Sequence, residues 1–168
     1  MLLLIMLVPL RTAAQFKEHI LKAGYVEKIT HFVEWPSVQN PEDSTFNISV
    51  IGNYTFDLPL KEIFSKVRVK DKKVRIVHIS TVPEIRNSNI VIISGSVSPD
   101  LLEEILRYTL EKPILTISEY KGYCKRGTIL NMLIVDNYIR YEINRNSLER
   151  SGLQMSSMLM NYAIKIEK

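Results

Sequence analysis

Residues 89–94 read NIVIIS, and this short run constrains the chain more than any other. Four branched aliphatic residues in a row leave no polar face, so a strand built from them needs cover on both sides, as at the centre of a parallel sheet. The flanking segments supply that cover. LPLKEIFSKV (58–67) places Leu60, Ile63, Phe64 and Val67 on one helical stripe, with Pro59 suited to the first turn. After Ser98, a good cap, Pro99 opens a helix with Asp100, Glu103 and Glu104 at its positive end and Leu102, Ile105, Leu106 and Thr109 facing inward. FNISVIG (46–52), KKVRIVHIS (72–80) and PILTIS (113–118) read as further strands, the second pairing with VRV across an Asp71-Lys72 turn. Strand–helix alternation of this kind requires crossover connections. The predicted fold is therefore α/β: one domain, a mixed and mostly parallel sheet flanked by helices.

The ends are read differently. Leu2 to Leu10 is an apolar run of nine residues, too short to span a bilayer of ~30 Å, and Thr12-Ala13-Ala14 follows it. That pattern predicts a signal peptide over 1–14 and a mature domain over 15–168, exported and without stable membrane insertion after cleavage. A helix is expected from Gln15 to Glu34, with Phe16, Ile20, Ala23, Val26, Ile29 and Val33 as its stripe and Pro36 stopping it at Trp35. Beyond Gly127, TILNMLIVDNYIRYEIN reads as a hairpin turning at Asp136-Asn137. Pairing Val135 with Tyr138 sets Leu130, Met132, Ile134, Ile139, Tyr141 and Ile143 on one face and Asn131, Arg140 and Glu142 on the other. SLERSG gives a short helical turn closed by Gly152. A final amphipathic helix is expected, burying Met155, Met158, Leu159, Tyr162, Ala163 and Ile166.

Searching this frame for chemistry is mostly negative. His19 and His31 stand about 120° apart around one helix, and no Cys/His cluster offers a metal four ligands. The turns IGNYTF and SGSVSP carry one glycine each, so neither a dinucleotide fingerprint nor a phosphate loop is present. There is no nucleophile elbow, and the single cysteine, Cys124, has no base partner nameable from the sequence. The net charge of +4 comes without long basic blocks, which argues against nucleic acid. The prediction is a protein that is not an enzyme, with no catalytic residue, metal or cofactor.

Two surfaces are candidates for binding. Parallel sheets bind ligands beyond the carboxyl ends of their strands, here Asn53, Ser94-Gly95-Ser96 and Glu119. The other centres on the only tryptophan. Trp35, between Glu34 and Pro36, suits either a domain corner or an interface anchor, and the packing pattern around it favours the corner. Glu34 is expected to meet a base. Arg140 and Glu142, beside Asn131, form either an internal polar network or a contact surface, and the sequence does not choose.

Taken together, FVEWP (32–36), NIVIIS, PILTISEYKGY, GTILNMLIVDNYIRYEIN and SGLQMSSMLMNYA resemble the YfiR family of exported bacterial regulators, from about Phe16 to Ile166. The resemblance implies a periplasmic, non-catalytic α/β domain. Its partner would be the sensing region of an inner-membrane diguanylate cyclase or histidine kinase, which it would modulate, chiefly by repression; a homodimer is compatible with this reading, and no sequence feature requires one. Two departures are visible. Asn89 stands where a cysteine is common in the family and only Cys124 remains, so disulfide gating does not carry over. A glycine pair before the hairpin is reduced to Gly127-Thr128. The rival reading is a small-ligand binding module with its site at the carboxyl ends of the strands.

Overall fold

The computed structural model describes residues 10–36, 45–53, 57–136 and 138–167. In chain order the elements are α1 (Leu10–His31), β1 (Val33–Glu34), β2 (Thr45–Ile51), α2 (Asp57–Lys66), β3 (Arg68–Val69) and β4 (Lys72–Ile79). A 3₁₀ turn (Val82–Asn87) leads to β5 (Ile90–Ile93), α3 (Pro99–Thr109), β6 (Leu115–Ser118) and α4 (Tyr123–Arg126). The last part holds β7 (Leu130–Val135), β8 (Tyr138–Asn144), α5 (Arg145–Ser151), β9 (Gln154–Met155), α6 (Ser157–Asn161) and β10 (Lys165–Glu167).

Eight strands form the main sheet in the order β10-β8-β7-β6-β5-β2-β4-β3. β2 pairs in parallel with both β4 and β5, β5 with β6, and β6 with β7; β3–β4 and β7–β8 are antiparallel. The expected α/β class is what forms. β5 lies between two parallel neighbours, and its four aliphatic residues divide between the faces. Ile90 and Ile92 join the core shared with Ala23, Val26 and Ile29 of α1 and Leu60 and Phe64 of α2, whereas Val91 and Ile93 meet Leu102 and Ile105 of α3. All four are 0% exposed. Each fully buried side chain of this size contributes ~1.5–3 kcal/mol, which makes β5 the spine of the domain.

Local signals explain the elements around it. The Ser98 hydroxyl accepts the Leu101 N–H and Pro99 opens α3, as its sequence requires. The hairpin has the predicted register, with Val135 opposite Tyr138, Met132 opposite Tyr141 and Leu130 opposite Ile143. Asp136 takes a positive φ of 52° in its turn, and the second turn residue, Asn137, lies outside the described residues. Gly152 ends α5 in the left-handed conformation.

Five expectations are corrected. α1 ends at His31, and Val33–Glu34 instead pair as a two-residue strand with Gln154–Met155. The turn begins when Phe32 N–H closes on Ile29, and the Phe32 carbonyl is then taken by Ser156 N–H at 2.8 Å, a partner no local pattern reveals. At its other end α1 extends to Leu10, so residues 10–14 of the segment read as a leader are helical, while residues 1–9 lie outside the described residues. Ile20, placed on the buried stripe, is 44% exposed; burial begins at Ala23. The β3–β4 turn is Lys70-Asp71, one residue earlier than expected, both with positive φ (50° and 63°) as a two-residue hairpin turn needs.

The fifth correction is the tail. No long amphipathic helix forms: α6 spans only Ser157–Asn161, and β10 then adds to the sheet parallel to β8. Residues 163–166 (AIKI) satisfy a strand's alternation as well as a helix's stripe, and the unpaired edge of β8 decides between them. Met158 and Tyr162, expected to be buried, are 55% and 71% exposed.

Candidate functional site

The sheet changes direction at β2. The chain leaves β2 through α2 to reach β4 on one side, then crosses to β5 on the other, so the carboxyl ends of β2 and β5 flank the switch point. Asn53, Ser94, Gly95 and Ser96 meet there. The Ser94 hydroxyl donates to the Asn53 carbonyl (2.5 Å), Asn53 N–H donates to Ser96 Oγ (2.8 Å), and Ser96 N–H donates to Ser94 Oγ (3.2 Å). These groups satisfy one another. Gly95 lies under the Tyr120 ring, and a Cβ there would stand 2.6 Å from Tyr120 Cδ2. Glu119 is drawn away: it accepts from Lys22 of α1 at 2.6 Å, and Lys22 also meets Glu18 at 2.6 Å. Burial opposes the charge on Lys22, but the two carboxylates outweigh it and raise the pKa above that of an ordinary lysine.

Gly52 packs closely against the 94–97 loop beside this crevice. Its φ is +90°, and a Cβ would come within 2.9 Å of Ser94 Cβ and 3.0 Å of Val97 Cγ1. Gly52→Ala is therefore expected to cost about 2 kcal/mol, from left-handed strain and the forced shift of the 94–97 loop. Thermal unfolding checks this, and a variant as stable as the parent would contradict the packing described.

Trp35 lies at the opposite, amino end of the sheet. Its indole Nε1–H donates to the Asn89 carbonyl at 3.1 Å, and its ring meets Phe46 edge-on, with centroids 5.0 Å apart and planes at 89°. Asn89 is itself a junction just before β5. Its side-chain oxygen accepts Asn47 N–H (2.8 Å), and its carbonyl also accepts Leu115 N–H (2.9 Å). Trp35 thus ties the end of α1 to the starts of β2, β5 and β6. Glu34 finds its base in Lys70 at 2.6 Å, an exposed pair. Pro36 is exposed.

On the hairpin, the two residues left open by the sequence separate. Ser118 Oγ donates to Asn131 Oδ1 (2.6 Å), and Asn131 Nδ2 donates to Glu142 Oε2 (3.1 Å), so Glu142 belongs to an internal network. Arg140 does not join it. Its guanidinium lies over the Tyr138 ring (5.7 Å) in an exposed position.

Arg140 instead borders a groove that sequence reasoning missed. Tyr25 and Lys28 of α1, with Phe32 just beyond its end, form one wall, Ile139, Arg140 and Tyr141 of β8 the floor, and Met158 and Tyr162 the other wall, enclosing about 260 Å³. Tyr141 fixes the α6 wall by donating its hydroxyl to the Leu159 carbonyl at 2.8 Å. Ile134, Val135 and Tyr138 extend the exposed apolar surface along the outer end of the hairpin. The one available signal was the Met/Tyr stripe of the tail, whose pattern reads as buried.

Burial pushes the Tyr141 phenol up to about 12, with Tyr25 and Tyr162 adding to the shift. The folded value lies above the ordinary ~10, so this contribution to stability is complete below pH ~10 and is lost as pH rises toward the folded value. A phenolate absorbance titration is expected to show at least one tyrosine, Tyr141, resisting ionisation to about pH 12 while the circular dichroism stays native. Ionisation of every tyrosine near pH ~10 in the native fold would contradict it.

Cys124 is fully buried, and among the described residues no group of three metal-ligating side chains comes together. Among them, too, no helix is long and apolar enough to cross a membrane. What the fold and its surface define is a single α/β domain that presents an apolar groove beside a β-hairpin.

The YfiR/HmsC-like family model matches residues 19–164, and the chain belongs to that family. Membership supports a periplasmic regulator in general, in a family that is regulatory and non-catalytic. Two solved structures share the fold. One is a conserved domain protein from Vibrio cholerae O1 biovar El Tor, 10% identical with a TM-score of 0.55 over 89% of this chain and 60% of that one. The other is the ABC domain in complex with L-Trp from Streptococcus pneumoniae, 7% identical with a TM-score of 0.52 over 72% of this chain and 55% of that one. The chain thus spans less than two thirds of either. No curated protein matches it.

Proposed function

We propose that this chain is a periplasmic, non-enzymatic regulator that docks the sensing region of an inner-membrane diguanylate cyclase or histidine kinase into the groove between α1, β8 and α6, and represses it. In this reading residues 1–14 direct export and residues 15–168 form the mature domain. Family membership supports the class, and the observation that carries the site is the groove's exposed Met158 and Tyr162 beside Arg140. Exposed apolar and aromatic side chains around a concave floor are the usual anchors of protein recognition. Repression requires a difference in affinity for the partner's two signalling states: a hundredfold bias takes about 2.7 kcal/mol. The carboxyl-end crevice is less suited to a ligand, because its hydroxyls and amides already bond one another.

Cross-linking of the tagged full-length protein in its native envelope, followed by mass spectrometry, tests the reading. It is expected to capture a membrane cyclase or sensor kinase. Recovery of the protein cross-linked only to itself, at native expression, would overturn it.

A further inference from the structure

A second cleft, of about 640 Å³, lies where α3, α4 and α5 meet, and its charge is lopsided. Arg107 of α3, Lys125 and Arg126 of α4, and Arg150 of α5 line it, against a single lining carboxylate, Glu103. Two of these cations are partly engaged: Arg150 pairs with Glu111 at 2.9 Å, and Arg126 donates to the Pro99 carbonyl at 3.1 Å. Arg107 and Lys125 make no ion pair among the described residues, although acids are plentiful on α3 itself. The Asn146 amide and the Ser147 hydroxyl also line the cleft, and neither has a hydrogen-bond partner among the described residues.

The local fold makes this convergence deliberate in geometry. The Asn144 side chain accepts Ser147 N–H and donates to the Cys124 carbonyl at 2.8 Å, which fixes the start of α5 against α4. Gly127, at φ +121°, turns the chain between them, bringing Lys125 and Arg126 level with Asn146 and Ser147. Like charges gathered in a concavity focus a positive potential, and guanidinium groups match the oxygen spacing of phosphate. The polar cleft against the 3₁₀ turn, by contrast, is lined by only two cations, Arg75 and Arg86, with Glu84.

We propose that the cleft formed by Arg107, Lys125, Arg126 and Arg150 is a binding site for a phosphate-bearing anion, with Asn146 and Ser147 as neutral donors to it. This site is separate from the apolar groove and does not depend on the partner proposed there. The phosphate has two available sources, a soluble oligophosphate or the headgroup of an anionic phospholipid, and both present the same chemistry to the cleft.

The test uses the full chain with inorganic pyrophosphate in calorimetric titration, and with phosphatidylcholine vesicles with and without phosphatidylglycerol in a sedimentation assay. Saturable binding of at least one probe is expected, weakened about tenfold or more in Arg107→Glu/Lys125→Glu and about twofold or less in the charge-matched control Arg75→Glu/Arg86→Glu. Pyrophosphate binding alone assigns a soluble ligand, and binding confined to phosphatidylglycerol vesicles assigns a headgroup. The milder Arg107→Gln/Lys125→Gln variant, with its circular dichroism compared to the parent, separates lost binding from lost folding. Failure of both probes to bind, or equal weakening by the cleft and control variants, would overturn the proposal.

Discussion

Trp35→Ala is expected to destabilise the domain by about 3 kcal/mol, the low end of the range for buried tryptophan because Trp35 is only partly covered. Three losses combine. The ring's apolar contacts with the α1–α2 core disappear, the edge-to-face pair with Phe46 goes with them, and the second donor to the Asn89 carbonyl is removed. Trp35→Phe keeps much of the ring contact and loses the indole N–H, so it should cost about 1 kcal/mol. In a domain of this size 3 kcal/mol corresponds to roughly 9 °C in melting temperature. Unfolding by urea, followed by circular dichroism because the variants lack the only indole, separates the two. A loss below about 1 kcal/mol for Trp35→Ala would show that the residue is not a structural corner.

The opposite pattern is expected in the groove. Met158→Glu/Tyr162→Glu places two carboxylates where the account has apolar anchors, and partner affinity should fall about a hundredfold, or 2.7 kcal/mol. Stability should hardly change, because these side chains are 55% and 71% exposed and surface substitutions typically stay within ~0.5 kcal/mol each. Capture of the membrane partner by the variant, measured beside its melting temperature, checks both halves. Unchanged capture by a folded variant would remove the groove from the interface. The hydrogen bonds of Trp35 and Glu142 lie inside the fold, and Arg140 stands on the surface with Met158 and Tyr162.

The legible parts of the sequence are those where one pattern has one solution. β5 could only be central, since Ile90 to Ile93 offer no polar face to solvent. The hairpin had one register that put Leu130, Met132, Tyr141 and Ile143 together, and that register forms. The unread parts depend on partners far along the chain. Nothing near Val33 indicates Met155 as its neighbour, and nothing in AIKI says that an edge of β8 is waiting for it. The tail's Met158 and Tyr162 carry the same periodicity whether the stripe meets a core or lines a groove, so their exposure is a tertiary fact. The crevice residues were found by the rule for parallel sheets, but their mutual hydrogen bonds were not, because hydroxyl-to-backbone bonds between two loops leave no periodic trace. The basic cleft was equally hidden, with Arg107, Lys125 and Arg150 spread over three elements.

The most direct test of the central claim is photo-cross-linking in the native envelope from a single unnatural residue, placed at Tyr162 in one strain and at Asn53 in another. Both positions are exposed, one at the groove and one at the opposite crevice. The account predicts a covalent adduct with a membrane cyclase or sensor kinase from position 162 and none from position 53. Adducts from position 53 with none from 162 would contradict it and move recognition to the carboxyl end of the sheet.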